Sequence, residues 1–286
     1  MSIRKRYRVL CWVLASVVLL AACGVVAYHG EWWFPALAYL KPHKAPALTR
    51  VEDVGERYTW TLDELTAAEG VTLSNVMLLV NADHPLPEGY EPDLVEYNGA
   101  KMHPLMLDGY IRMRDDVQKQ TGVRIYVASD YRTPEEQSAI INSAEEGIAA
   151  PLGCSEHEAG LALDLYAPYF DGIDFLRSRA GRAVNRACAE YGYIIRYPVD
   201  KTNVTGIAYE PWHVRYVGAP HANIIMESGL AYEEYLEYLT PGVWFRTGSY
   251  LIARLAPEAL ELPTGWTTCS LSPDNTGYYV VTLQLA

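Results

Sequence analysis

Two short stretches about fifty positions apart constrain the chain more than any other feature: Ser155-Glu156-His157-Glu158-Ala159-Gly160-Leu161-Ala162-Leu163-Asp164 and Glu210-Pro211-Trp212-His213. A catalytic zinc ion needs three nitrogen or oxygen ligands and one position left open, and His157, Asp164 and His213 supply that number. Glu210 stands three residues before His213, within reach of the open position from a turn or bent strand, which is where a general base belongs. Leu161, Leu163 and Leu165 alternate with Ala162 and Asp164, a pattern that predicts a short buried strand with Asp164 facing away from the leucines. A carboxylate placed there has to be paired or metal-bound, because burying it bare is expensive. A single histidine is more often an ordinary core or surface residue; the clustering of donors is what carries the metal reading.

The pattern Ser155-x-His157-x-x-Gly160-x-Ala162-x-Asp164, followed by Glu210-x-Trp212-His213-x-Arg215-Tyr216-Val217-Gly218, resembles the zinc D-alanyl-D-alanine carboxypeptidases of the vancomycin-resistance type (peptidase M15, VanY-like) and their L,D-carboxypeptidase relatives. Ser129-Asp130-Tyr131-Arg132 is similar to that family's Ser-Gly-Tyr-Arg segment. Leu79-Val80-Asn81 with Leu86-Pro87-x-x-Tyr90-x-Pro92-x-x-Leu94-Val95 is similar to an earlier one, so the likeness runs over roughly residues 75 to 240. The resemblance implies an α+β fold in which a small antiparallel sheet bears one zinc ion per chain, with helices packed around it. It implies His157, Asp164 and His213 as zinc ligands, Glu210 as catalytic base and Arg132 as the residue that steadies the scissile carbonyl or the substrate carboxylate. Ser155 matches a position near the substrate end of the pocket, and Trp212 either packs beneath His213 or lines the substrate groove. The activity implied is removal of the terminal D-alanine from peptidoglycan stem peptides; an L,D-carboxypeptidase, a cross-bridge endopeptidase and a non-enzymatic wall-binding module are the alternatives. Asp130 departs from the family's glycine, and two residues from Arg132 along a strand it is expected to orient the guanidinium.

At the N-terminus Arg4, Lys5, Arg6 and Arg8 precede an uncharged, mostly apolar run from Val9 to Gly30. Its length suits a bilayer of about 30 Å, and the basic arm should stay cytoplasmic. Residues 1–30 are therefore expected to be a membrane anchor, or a lipoprotein-type signal in which Leu20-Ala21-Ala22-Cys23 delivers a lipidated Cys23. Trp32, Trp33 and Phe34 fit an interfacial aromatic belt. On this reading the protein sits in a bacterial cell membrane with its catalytic part outside the cytoplasm. Residues 31–74, with Pro35, Pro42 and Pro46, are expected to form a stalk, residues 75–240 the catalytic domain, and residues 241–286 a small β-rich extension.

The formal net charge of −12 offers no clustered positive face for nucleic acid. No obligate protein partner is evident. Helical rhythm is expected over His103 to Gln120 through Leu107, Ile111 and Val117, and over Phe175 to Tyr191; Thr133-Pro134-Glu135-Glu136 opens another helix. Val76 to Val80 reads as a short apolar element. Cys154, Cys188 and Cys269 lack the paired spacing of a structural zinc knuckle, and export permits one disulfide without requiring it.

Overall fold

The computed structural model describes residues 3–28, 44–143 and 149–286. Its strands are β1 (Thr49–Val51), β2 (Arg57–Trp60), β3 (Val71–Leu73), β4 (Val95–Tyr97), β5 (Ala100–Met102), β6 (Tyr126–Ser129), β7 (Ala162–Tyr166), β8 (Tyr193–Ile195), β9 (His213–Tyr216), β10 (Trp244–Thr247), β11 (Tyr250–Leu255), β12 (Leu260–Pro263), β13 (Trp266–Pro273) and β14 (Tyr279–Leu285). Four of them form an open antiparallel sheet in the order β6-β7-β9-β8, and six form a second sheet in the order β1-β10-β11-β14-β13-β3. The architecture is mixed α+β, as expected.

The four-stranded sheet owes its inner layer to alternation. Leu163, Leu165, Val214 and Ile195 turn to one face and pack on Met106, Tyr110, Met113 and Val117 of the Pro104–Thr121 helix. Those four residues recur at intervals of four, three and four, the buried stripe of an amphipathic helix. Leu107 and Ile111, expected on that stripe, lie half-buried at its margin. Pro104 at the first turn and Gly122 in the left-handed region set the two ends of the helix. Thr133 and Glu136 exchange reciprocal backbone bonds, the expected capping box.

The long helix expected over Phe175 to Tyr191 is instead three pieces: 3-10 turns at Gly172–Arg177 and Cys188–Tyr191 flank an α-helix at Arg179–Ala187. Ser178 causes the first break, because its hydroxyl caps a new helix by accepting from the Gly181 N–H at 2.7 Å. Residues 76–80 are buried but are not a strand. Their polar groups are satisfied by side chains and loops, with Arg215 donating to Val76 O and Leu78 O and Tyr232 donating to Met77 O.

Three N-terminal expectations need correction. Helix is present over Ile3–Tyr28, yet among the described residues no helix is long and apolar enough to cross a membrane. The membrane-spanning element of the expected fold, the membrane as a partner and the single-pass location fall with that finding. The aromatic run Trp32, Trp33, Phe34, together with Pro35 and Pro42, lies outside the described residues.

Part of the expected stalk is also built differently. Residues 49–73 supply β1, β2 and β3, which pair with strands from the C-terminal third: Thr49 opposite Arg246, Trp60 opposite Leu260, Val71 opposite Cys269. Strands of three or four residues carry too little alternation to be read alone, and their partners lie about 200 positions away. Phe245, Ile252 and Val280 of the C-terminal strands share one core with the 76–80 segment and with Tyr232 and Tyr235.

His221 joins these layers. It is buried, with Nδ1 2.6 Å from the Tyr235 hydroxyl and Nε2 2.8 Å from the Thr282 hydroxyl. Neutral imidazole donates at one nitrogen and accepts at the other, and the two hydroxyls adapt to either tautomer. Burial pushes its pKa down to about 4. The unfolded chain, with an ordinary histidine pKa of about 6.5, therefore binds the extra proton first. Stability should fall as pH drops from about 6.5 to about 4, by up to about 3 kcal/mol from this group, and level off below. Urea unfolding of His221→Gln should show a visibly shallower pH slope in that window than the wild type; identical slopes would remove His221 as the cause.

Candidate metal centre and active site

β7 lies between β6 and β9, and its register sets Asp164 opposite His213 on one side and Ser129 on the other. Leu163 and Leu165 enter the core, while the Asp164 side chain emerges on the other face, 18% exposed. His157 arrives from the turn before β7, which is closed by Gly160 N donating to His157 O and Leu161 N donating to Glu156 O. Gly160 has φ +69°, and a Cβ there would meet Leu94 Cδ2 at 2.7 Å, so the turn requires glycine on both counts.

One donor atom from each of His157, Asp164 and His213 lies within 4.8 Å of the others. His157 Nε2 is 3.3 Å from Asp164 Oδ2, and His213 Nδ1 is 3.0 Å from Asp164 Oδ1. Proximity is not pairing here: His157 Nε2 and Asp164 Oδ1 are buried without a hydrogen-bond partner. Leaving such groups unsatisfied costs about 1–3 kcal/mol each. Converging lone pairs of two imidazoles and a carboxylate fit a divalent cation by chemistry and by number.

The outer nitrogens are held as well. His157 Nδ1 donates to the Asp130 main-chain carbonyl at 2.7 Å, which leaves Nε2 as the free donor atom. His213 Nε2 lies 3.4 Å from Glu156 Oε2. Glu156 is buried, and its Oε1 accepts from Arg196 Nε at 2.7 Å and from Arg215 Nη1 at 2.6 Å. Burial by itself would raise the Glu156 pKa; the Arg215 and Arg196 charges overcome it and hold the carboxyl far below the ordinary range. Arg196 also forks onto Glu233 at 2.9 and 2.6 Å.

Glu210 stands outside the ligand cluster, its Oε2 3.7 Å from His213 Nδ1. The His213 N–H donates to Glu210 O, which closes the turn that brings the two side chains together. Burial pushes the Glu210 carboxyl up, against the pull of His213 and Arg132 and with the Asp164 charge adding to the rise. Arg132 Nη2 is 3.7 Å from Asp164 Oδ2; its Nε donates to Ser129 Oγ and its Nη1 to the fully buried Gln137 Oε1. Burial lowers the Arg132 pKa, opposed first by Asp164 and then by Glu210. An acid, a fixed cation and three donors that could hold a metal ion therefore surround one small space.

The remaining expected residues sit elsewhere. Ser155 is buried, and its Oγ accepts from the His157 N–H at 3.3 Å, so it shapes the turn. Asp130 does not orient Arg132: its Oδ2 accepts from Lys101 N at 2.5 Å, and its carbonyl takes the His157 proton. Trp212 packs against the core behind the sheet. Cys154, Cys188 and Cys269 are buried, and Cys154 lies outside the ligand cluster.

Glu156, Arg196, Arg215, Gln137 and Tyr197, whose ring is 4.9 Å from that of His213, were not singled out from sequence for these roles. A signal existed for the arginines. Ile194-Ile195-Arg196-Tyr197 and Val214-Arg215-Tyr216 place cations inside apolar strands, which requires a buried anion nearby.

The sequence model of the VanY family, D-alanyl-D-alanine carboxypeptidase, matches residues 99–219. The D-alanyl-D-alanine carboxypeptidase of Enterococcus faecalis is 35% identical over 178 residues, which is 56% of this chain and 65% of that protein, so the match spans just under two thirds of that relative's length. The bifunctional D-Ala-D-Ala dipeptidase and D-Ala-D-Ala carboxypeptidase of Enterococcus gallinarum is 35% identical over 185 residues, covering 59% of this chain and 97% of that one. Among solved structures, the vancomycin-resistance D,D-dipeptidase VanXYg in complex with a D-Ala-D-Ala phosphinate analogue is similar with a TM-score of 0.63, 26% identity, and coverage of 80% of this chain and 98% of that one. With its ligand triad, its outlying acid and this near-complete coverage of a 35% identical relative, the chain belongs to the VanY-like D-alanyl-D-alanine carboxypeptidase family.

Proposed function

We propose that the protein is a zinc-dependent D-alanyl-D-alanine carboxypeptidase that removes the terminal D-alanine from peptidoglycan stem peptides. The observation that carries this reading is the pair of orphaned atoms, His157 Nε2 and Asp164 Oδ1, converging with His213 Nδ1 beside an acid that is not itself a ligand. The family relatives supply the substrate class, since the Enterococcus faecalis protein bears the name of that activity.

His157, Asp164 and His213 would hold the ion, one per chain. Zinc in such a site supplies Lewis-acid polarisation of the peptide carbonyl and makes water more acidic. Glu210 takes the proton from the attacking water on its carboxylate and returns it to the leaving amine of D-alanine. The raised pKa of Glu210 suits that task, because the acid has to hold the proton between the two transfers. Arg132, fixed by Ser129 and Gln137, offsets the negative charge that develops on the carbonyl oxygen.

Three outcomes check this. Glu210→Gln should lower kcat on stems ending in D-alanyl-D-alanine by roughly 100- to 10,000-fold while zinc content by atomic absorption stays near one per chain; parallel loss of zinc would make Glu210 a ligand. Glu156→Gln should weaken zinc affinity, measured by competition with a chromogenic chelator, by roughly 10- to 100-fold, because His213 loses the carboxylate that fixes its tautomer; unchanged affinity would reduce Glu156 to a structural role. Mass analysis of products from pentapeptide and tetrapeptide stems tests the substrate. Release of D-alanine from the pentapeptide is expected, and cleavage confined to the tetrapeptide would replace the D,D reading with an L,D one.

A further inference from the structure

Along the outer edge of β6 opens a cavity of about 610 Å³, a size within the usual range of about 300–1,000 Å³ for ligand pockets. β6 pairs only with β7, so the edge running from Arg124 to Ala128 forms no ladder on its other side among the described residues. The facing wall is the turn between β4 and β5, Tyr97 to Ala100. These two ribbons are stitched together at one end only, by Tyr131 N donating to Lys101 O and Lys101 N donating to Asp130 Oδ2. Tyr110 and Arg114 of the Pro104–Thr121 helix also line the cavity.

The charges lining this cleft are unbalanced. Arg114 is already bonded to Asp115 and to the Tyr97 hydroxyl. The Asp130 carboxylate is taken by a backbone N–H. Arg124 alone is left over: its Nε is buried with no hydrogen-bond partner, and its guanidinium stands 5.8 Å from the Tyr126 ring centroid. A guanidinium at the lining of a cavity, with its Nε–H lacking an acceptor, fits a carboxylate. The open edge of β6 fits the peptide groups of an extended chain. The cleft and the metal centre share a wall, because Asp130 lines the cleft while its carbonyl holds His157. Tyr126 and Tyr166, stacked with ring centroids 5.5 Å apart, line it two residues along β7 from Asp164.

We infer that the β6 cleft binds an extended, carboxylate-bearing peptide segment, the part of the substrate upstream of the bond cut at the metal centre, with Arg124 receiving the carboxylate. The peptide-cleaving reading gives the source of the segment, while binding itself needs neither metal nor turnover, so the two can fail separately. The test is titration of the ¹⁵N-labelled full chain, without added metal, with acetyl-Ala-Glu-Ala-amide and with its neutral counterpart acetyl-Ala-Gln-Ala-amide, followed by NMR. The acidic peptide should shift the Arg124 Nε–H and the backbone amides of 124–128, and bind at least tenfold more tightly than the neutral one. Arg124→Gln should abolish that preference, and Arg124→Lys should retain part of it through charge alone. Unfolding of Arg124→Gln would be recognised by its spectrum, and Tyr126→Ala, on an exposed side chain, would then serve in its place with the same expected loss. Equal affinity for the two peptides, shifts elsewhere on the protein, or a preference that survives Arg124→Gln would overturn the assignment. Binding of a neutral amino-sugar oligomer at 124–128 with no peptide binding would assign the cleft to glycan instead.

Discussion

Everything around the metal centre depends on one buried carboxylate shared between two buried guanidinium groups. Glu156 sits in the turn before β7, Arg196 just beyond β8 and Arg215 on β9, so their two short bonds tie three separate chain segments at a single point. Arg215 extends the tie to the carbonyls of Val76 and Leu78, and Arg196 extends it to Glu233 on the Tyr232–Tyr238 helix. Taking such charges out of water is costly, and removing one partner from a buried pair typically destabilises by about 3–5 kcal/mol. A cluster so expensive to leave incomplete has few alternative arrangements, and the sheet, the 76–80 segment and the C-terminal layer are all registered against it.

The same carboxylate reaches the chemistry. Its second oxygen faces His213 Nε2, so the ligand nitrogen Nδ1 is left pointing at Asp164. His157 is set in the complementary sense, with Nδ1 fixed by the Asp130 carbonyl and Nε2 free. Both imidazoles therefore present a lone pair to one point because partners outside the ligand set hold their other nitrogens. Asp164 completes the set from the middle strand, where two ladders hold its backbone rigidly. Arg132 gains comparable rigidity from Gln137, whose amide in turn donates to Ala150 O.

The His157, Asp164 and His213 cluster was legible in sequence because these three residues are closely spaced within two motifs and their types admit few other readings together. The alternation of Leu163, Asp164 and Leu165 alone gave the strand and the face. Illegible features have one cause in common: they arise from pairings between distant segments. Asp130 was assigned to Arg132 from a two-residue offset, yet a register shift between Val127 and Ser129 and the neighbouring β5 turn its carboxylate to Lys101 N. β1 to β3 need partners about 200 positions later to become strands at all. Glu156 passed as a spacer between Ser155 and His157 because its meaning depends on Arg196 and Arg215, forty and fifty-nine residues away. The N-terminal run shows the opposite failure, since hydropathy of a sequence window suggested more than the described helix supports.

Crystallography of the zinc-loaded protein with data collected at the zinc absorption edge tests the central claim most directly, because anomalous scattering locates the ion without reference to activity. The account predicts one strong peak per chain, at coordination distance of about 2.0–2.2 Å from His157 Nε2, His213 Nδ1 and an Asp164 oxygen, with Glu210 beyond coordination reach. A peak elsewhere, or one that takes Glu210 or the Cys154 thiolate into its coordination sphere, would contradict it.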